Sequence, residues 1–313
     1  MNCLLVLTFA DKPLPARNYL KKSCEAMGIR HKVLISSPWV QNVIKLKMLF
    51  EYVSDCDPED VLLVVDAYDV VVFQDEPSIL AEFKKLDADV VFSGESNFMY
   101  KEPAKWLRML RKYPRQRTIF QFLNSGSYIG KASSIQQMLQ EMQELFQIDL
   151  SNEKKLLPLK SDQYLLSRFY VESAGFPSAL RLKIDAMHRL LGVTGGRFCV
   201  VNFPDLNRWQ AFLHFILERN ILKMFRLHKH QRIPKDYRAK GEVFYNKRTN
   251  TSPAIMHFPG TWDRFDVVYD DLLQNKVASK NGSWVFAFLI SFVAFPISII
   301  AAPILWLVLR RIN

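Results

Sequence analysis

Short β-branched runs alternate with helix-spaced segments through the first 130 residues, and that alternation confines the chain to an α/β architecture. Leu4–Phe9, Lys32–Ile35, Val61–Val65 and Val90–Phe92 are brief, apolar and bounded by polar or turn residues, the pattern of buried strands. Between them, Ala16–Met27, Val43–Tyr52 and Pro77–Leu86 carry apolar residues at helical spacing, and Pro77 behind Asp75 and Glu76 suits a first helical turn. Strands separated by helices predict parallel pairing in a sheet with helices on both faces. Ligands of such sheets bind beyond the carboxyl ends of the strands. A further strand is expected within Thr118–Ile129, and further helices over Ser133–Phe146 and Asp162–Tyr170.

The run Val61–Val65 leads into Asp66-Ala67-Tyr68-Asp69, so two carboxylates stand at i and i+3 where a buried strand leaves the sheet. Hard divalent cations take oxygen ligands and bridge a diphosphate to a protein, so acids in this position suit a metal–nucleotide site. The bland alternative is that both are turn formers. Other polar motifs follow in order: Ser93-Gly94-Glu95-Ser96, Tyr113-Pro114, Asn124-Ser125-Gly126, Ser161-Asp162-Gln163 and His257-Phe258-Pro259-Gly260. By residue type alone, Asp162 would cap a helix beginning at Gln163, Asn124 and Glu95 would stabilise loops, and His257 would be a structural strand-end histidine.

In this order and at these separations the segments resemble the glycosyltransferase domain of the procollagen lysyl hydroxylase family and its collagen-type glycosyltransferase relatives, from about Val43 to Gly260. The resemblance implies a GT-A fold, a Rossmann-like mixed sheet flanked by helices, with a UDP-sugar donor and Mn²⁺ or another divalent cation. On that pattern Asp66, Asp69 and His257 bind the metal and Tyr68 contacts the uridine or ribose. Lys45, or its neighbour Lys47, neutralises the diphosphate, and Gly260 lets backbone N–H groups approach phosphate. Asp162, Asn124 and Glu95 are implied as contacts to the donor sugar or the acceptor. The family's aromatic residue after its Glu-Ser pair has its nearest match in Tyr100, one position late. Where the family carries a lysine shortly after His-x-x-Gly, this chain has Thr261-Trp262-Asp263-Arg264. The implied reaction is transfer of a hexose from the UDP-sugar to a hydroxyl of a glycan, protein or lipid. The rival is a catalytically degenerate, membrane-anchored module that binds nucleotide sugar or glycan. Only the glycosyltransferase part is represented in these 313 residues, so lysine hydroxylation is not expected.

Charge and hydropathy bear on partners. Lys plus Arg exceed Asp plus Glu by 42 − 31 = 11, and residues 208–248 hold eleven basic residues against three acids, eight of that excess. Such a field favours a polyanion. No helix-turn-helix or RNP-type signature accompanies it, so nucleic acid is not expected. Trp209, Phe212, Phe215 and Phe225 interleave with Lys223, Arg226 and Lys229, which suits an anionic membrane surface. From Trp284 to Leu309 there are 26 residues without a charge. At about 1.5 Å rise each they give roughly 39 Å of helix, enough to cross a bilayer core of about 30 Å. A transmembrane helix is therefore expected there, after a linker at 276–283 and before a short basic tail. The N-terminal run lacks a basic leader and a cleavage site, so the expected topology is single-pass and C-terminally anchored, with the catalytic domain in the cytoplasm. The four cysteines form no CxxC pair, which speaks against zinc and weakly for a reducing compartment.

Overall fold

The computed structural model describes residues 3–96, 112–114, 116–118, 120–159, 161–173, 180–194, 237–240, 243–260, 265 and 269–270. All belong to one compact unit, Met1–Val201 with Pro234–Asn275. Tyr100, residues 261–264, the basic segment 208–236 and the apolar stretch 284–309 lie outside the described residues. Among the described residues no helix is long and apolar enough to cross a membrane.

The first half alternates as the residue pattern demands: β1 (Leu4–Ala10), α1 (Tyr19–Ala26), β2 (Arg30–Ile35), α2 (Ile44–Val53), β3 (Val61–Asp66), β4 (Val70–Val72), α3 (Glu76–Lys85) and β5 (Val90–Glu95). Then come β6 (Phe122–Lys131), α4 (Ala132–Phe146), α5 (Glu153–Leu156), α6 (Asp162–Glu172), β7 (Leu182–Asp185), β8 (Leu191–Val193), β9 (Tyr237–Lys240), β10 (Val243–Asn246) and β11 (Ile255–His257). The main sheet runs in the order β2-β1-β3-β6-β5-β7, and a smaller one in the order β4-β11-β8.

Parallel pairing holds for β1 with β2, β1 with β3, and β5 with β7, but β6 is antiparallel to both β3 and β5. Strand–helix alternation alone predicts parallel pairing, and β6 departs from it, so the sheet is mixed, as the resemblance implies. The physical reason lies in the connection. Glu95 at the end of β5 pairs with Phe122 at the start of β6, so the chain returns at the same end of the sheet instead of crossing over it.

Alternation along the strands sends side chains to two helical layers. Leu4 and Val6 of β1 and Val61, Leu63 and Val65 of β3 join Leu20 and Cys24 of α1 and Ile79 of α3 in one buried cluster. On the other face, Phe9, Val64 and Tyr128 meet Leu46 of α2 and Asp162 of α6. The odd residues of β3 thus face α1 and α3. Asp66, an even position, is aimed at the α2/α6 side.

Local chemistry sets the helix starts. The Asn18 side chain accepts from the Lys21 N–H at 3.0 Å, and Asp75 accepts from Ser78 N–H at 3.1 Å with Pro77 in the first turn. Ser161, not Asp162, caps α6, its side chain accepting from Tyr164 N–H at 3.3 Å. That corrects the capping role considered for Asp162, which is instead the first helical residue and is buried.

A second buried polar joint ties the outlying strands to β5. His188 Nε2–H donates to the Gly94 carbonyl at 2.7 Å, Asn246 Nδ2–H donates to Nδ1 at 3.0 Å, and the Tyr237 hydroxyl also meets Nδ1. Burial pushes the imidazole pKa down to about 4, the Gly94 bond opposing it, so the ring is neutral at physiological pH. Among the described residues Cys24 and Cys56 are free thiols.

Candidate metal centre

Asp66 is the last residue of β3, and Asp69 lies in the turn that leads to β4. Chain distance separates them from His257, and the small sheet removes it. β11 pairs antiparallel with β4 so that His257 stands opposite Val70, and the Phe258 N–H donates to the Asp69 carbonyl at 2.8 Å. His257 Nε2 is then 3.5 Å from Asp66 Oδ2 and 3.5 Å from Asp69 Oδ1. One ligand atom from each of the three residues lies within 4.8 Å of the others. The three residues expected to share a metal therefore converge.

The orphan atom in this cluster is telling. His257 Nε2 is buried and has no hydrogen-bond partner, whereas Nδ1 is bonded to Asn124 Oδ1 at 2.9 Å. Buried polar atoms are rarely left unsatisfied without a functional reason. Two carboxylates and an imidazole nitrogen facing one point form a donor set that suits a divalent cation. Electrostatics point the same way. Burial drives the His257 pKa down, but Asp69 and Asp66 outweigh it and raise it to about 10. The pocket thus demands a positive charge, from a proton when no cation is bound.

Lys45 of α2 completes the charge pattern. Its Nζ is 2.5 Å from Asp66 Oδ1 and 3.5 Å from Asp162 Oδ2. Burial lowers the lysine pKa, and Asp162 and Asp66 more than reverse this, holding it above the ordinary lysine range. Burial likewise opposes ionisation of Asp66, yet Lys45 and His257 hold its carboxyl well below the usual carboxylate range. Lys47, the other candidate at this place, pairs with Glu51 on the same helix at 2.7 Å and takes no part. Lys45, Asp66, Ser125, Tyr128 and Asp162 line one small cleft.

The remaining expected residues divide. Asn124 and Glu95 are buried beside the metal cluster. Asn124 Nδ2–H donates to Glu95 Oε1 at 3.2 Å, and Gln163 also donates to that oxygen. Burial raises the Glu95 pKa to about 7, with Asn124 and Gln163 opposing. Tyr68 packs against Ala10, Leu14 and Ala67 near the end of β1, and its hydroxyl donates to Asp11 Oδ1 at 2.5 Å. Gly260 follows in a turn with φ of 74°, a left-handed conformation that glycine takes without strain. Asp11, Gln163 and the role of Gly126 escaped the residue pattern. Asp11 alone carried a usable signal, since it stands at a strand end as Asp66 does.

A family described as the PLOD GT domain matches residues 1–189. That stretch holds Asp66, Asp69, Glu95, Asn124 and Asp162 and stops short of His257. Procollagen-lysine,2-oxoglutarate 5-dioxygenase 1 of Gallus gallus is 30% identical over 151 residues, covering 44% of this chain and 20% of that protein. The multifunctional procollagen lysine hydroxylase and glycosyltransferase LH3 of Homo sapiens is 30% identical over 154 residues, covering 49% of this chain and 18% of that one. The chain thus spans about a fifth of the length of these curated relatives. A crystal structure of a glycosyltransferase involved in glycosylation of the major capsid of PBCV-1 superimposes with a TM-score of 0.43 at 11% identity, covering 86% of this chain and 98% of that one.

Proposed function

Because this chain belongs to the PLOD GT domain family, a glycosyltransferase family of GT-A fold that matches 189 of its 313 residues, we propose that it is a divalent-cation-dependent glycosyltransferase passing a hexose from a UDP-sugar to an acceptor hydroxyl. The observation that carries this reading is the convergence of Asp66, Asp69 and His257, with a buried Nε2 that makes no hydrogen bond and faces both carboxylates at 3.5 Å.

Those three residues would hold the cation, Mn²⁺ or another divalent ion. When bound, the cation supplies Lewis-acid stabilisation to the departing diphosphate, worth several kcal/mol in such sites. The chain's own residues do the rest. Lys45 keeps Asp66 ionised and turned into the site, at 2.5 Å. Tyr68 and Asp11, bonded to each other at the end of β1, offer an aromatic face and a carboxylate to the nucleoside. Asp162 and Glu95, both buried near the cation site, would contact the donor sugar or the acceptor. The acceptor is a glycan, protein or lipid.

A screen of UDP-sugars against the full chain tests this proposal. UDP release is expected with Mn²⁺ present and lost when EDTA removes it. Release that is indifferent to chelation would overturn the metal's part, and no release with any UDP-sugar would favour a binding module.

Membrane attachment is proposed on composition: an anchor at Trp284–Leu309 and an anionic surface for residues 208–248. Co-sedimentation with vesicles should then rise when anionic lipid is added to neutral lipid. Equal binding to both compositions would count against the surface role.

A further inference from the structure

We propose that the Asn124-Ser125-Gly126 segment is a seat that fixes the ring position and tautomer of His257, so that Asn124 and Gly126 are positioning residues of the cation site. The inference rests on the reading of Asp66, Asp69 and His257 as cation ligands.

The seat is a bulge. On β5, Phe92 pairs with Tyr128 while the next residue, Ser93, pairs with Asn124. Ser125, Gly126 and Ser127 therefore have no partner on β5, and β6 arches away from it. On its other side β6 pairs with β3 as far as Ser127 opposite Val65, which sets Gly126 level with Asp66 at the mouth of the sheet.

What the arch offers is a surface without a side chain. A Cβ placed on Gly126 would lie 2.0 Å from His257 Cε1, 2.5 Å from Nδ1 and 2.7 Å from Nε2. The imidazole rests against the glycine backbone, and any other residue there would push the ring from the two acids.

Asn124 supplies direction. Its Oδ1 accepts from the Gly126 N–H at 2.9 Å and from His257 Nδ1–H at 2.9 Å, while its Nδ2–H donates to Glu95 Oε1 at 3.2 Å. The carboxylate on one side and the Gly126 N–H on the other fix which way the amide faces. An acceptor at Nδ1 keeps a proton on that nitrogen, which leaves the Nε2 lone pair for the cation. A motif that residue type suited to a loop brace, and the resemblance to a substrate contact, acts through its histidine partner.

The test is Mn²⁺ binding to the full chain with no nucleotide present, read from the electron paramagnetic resonance of the free ion, for wild type, Asn124→Leu, Asn124→Asp and Gly126→Ala. Leucine matches the asparagine in size but accepts no hydrogen bond. It should weaken Mn²⁺ binding by about 10- to 100-fold, the usual cost of losing a partner that orients a metal ligand. Aspartate keeps an acceptor for Nδ1–H but sets a second carboxylate against Glu95, so its binding should fall between those of wild type and the leucine variant. Gly126→Ala should lose at least as much as the leucine variant. If wild type binds Mn²⁺ and the leucine and alanine variants bind it equally well, the seat is wrong and the cation reading stands. If wild type binds no Mn²⁺, both fall. Should the variants fail to fold, wild type alone decides with Zn²⁺ as a diamagnetic probe. Long-range ¹⁵N–¹H correlations should find His257 protonated at Nδ1 and metal-bound at Nε2, and the reverse assignment overturns the proposal.

Discussion

Replacing Asp66 and Asp69 together by Asn is expected to lower cation-dependent UDP-sugar turnover by at least about a thousandfold, or roughly 4 kcal/mol of transition-state stabilisation. Asparagine preserves the size of each side chain and keeps an oxygen, but it gives up the negative charge that attracts a dication. Both acids face the same point as His257 Nε2, at 3.5 Å, so the loss falls on one centre and the two substitutions should not add independently. The fold should survive, because Lys45 retains Asp162 at 3.5 Å when Asp66 is neutralised. Turnover assays paired with far-UV circular dichroism check this, and unchanged turnover in the double variant would discard the site.

The second large effect concerns Lys45. Its side chain is 14% exposed and pairs with Asp66 and Asp162, so Lys45→Met leaves two acids facing each other without their shared cation. Breaking a buried ion pair by removing one partner costs about 3–5 kcal/mol, and the partial exposure of Asp66, at 28%, points to roughly 3 kcal/mol here. Lysine and the divalent cation draw on the same carboxylate. Removal of the lysine should therefore make the chain more dependent on metal, and Mn²⁺ should restore more stability to the variant than it adds to wild type. Urea unfolding in EDTA and in Mn²⁺ measures both quantities. Equal stabilisation of the two proteins by Mn²⁺ would show that Lys45 and the cation do not share Asp66.

Legibility of this molecule in its residues followed the length of its elements. Leu4–Ala10 and Val61–Asp66 are buried apolar runs of seven and six residues, and each was readable to within a residue. The longer helices were readable too, but the caps Asn18 and Ser161 that set two of their starts were not. Strands of three residues, Val70–Val72, Leu191–Val193 and Ile255–His257, are too short to show a period, yet it is their pairing that carries His257 to the acids. Strand-end chemistry marked Asp66 and Asp69, whereas His257 could be joined to them only through the likeness of its motif to a known family. The bulge at Ser125–Ser127 had no signature either, since one register shift is decided by both neighbouring strands. The bond of Tyr68 to Asp11 was not readable, because it depends on where β1 ends relative to β3.

A single diffraction experiment bears most directly on the account. A crystal of the full chain soaked with Mn²⁺ and UDP should give one anomalous peak within coordination distance of an Asp66 oxygen, an Asp69 oxygen and His257 Nε2, with the diphosphate on its open side. A peak remote from any of those three atoms, or UDP bound with none there, would contradict it.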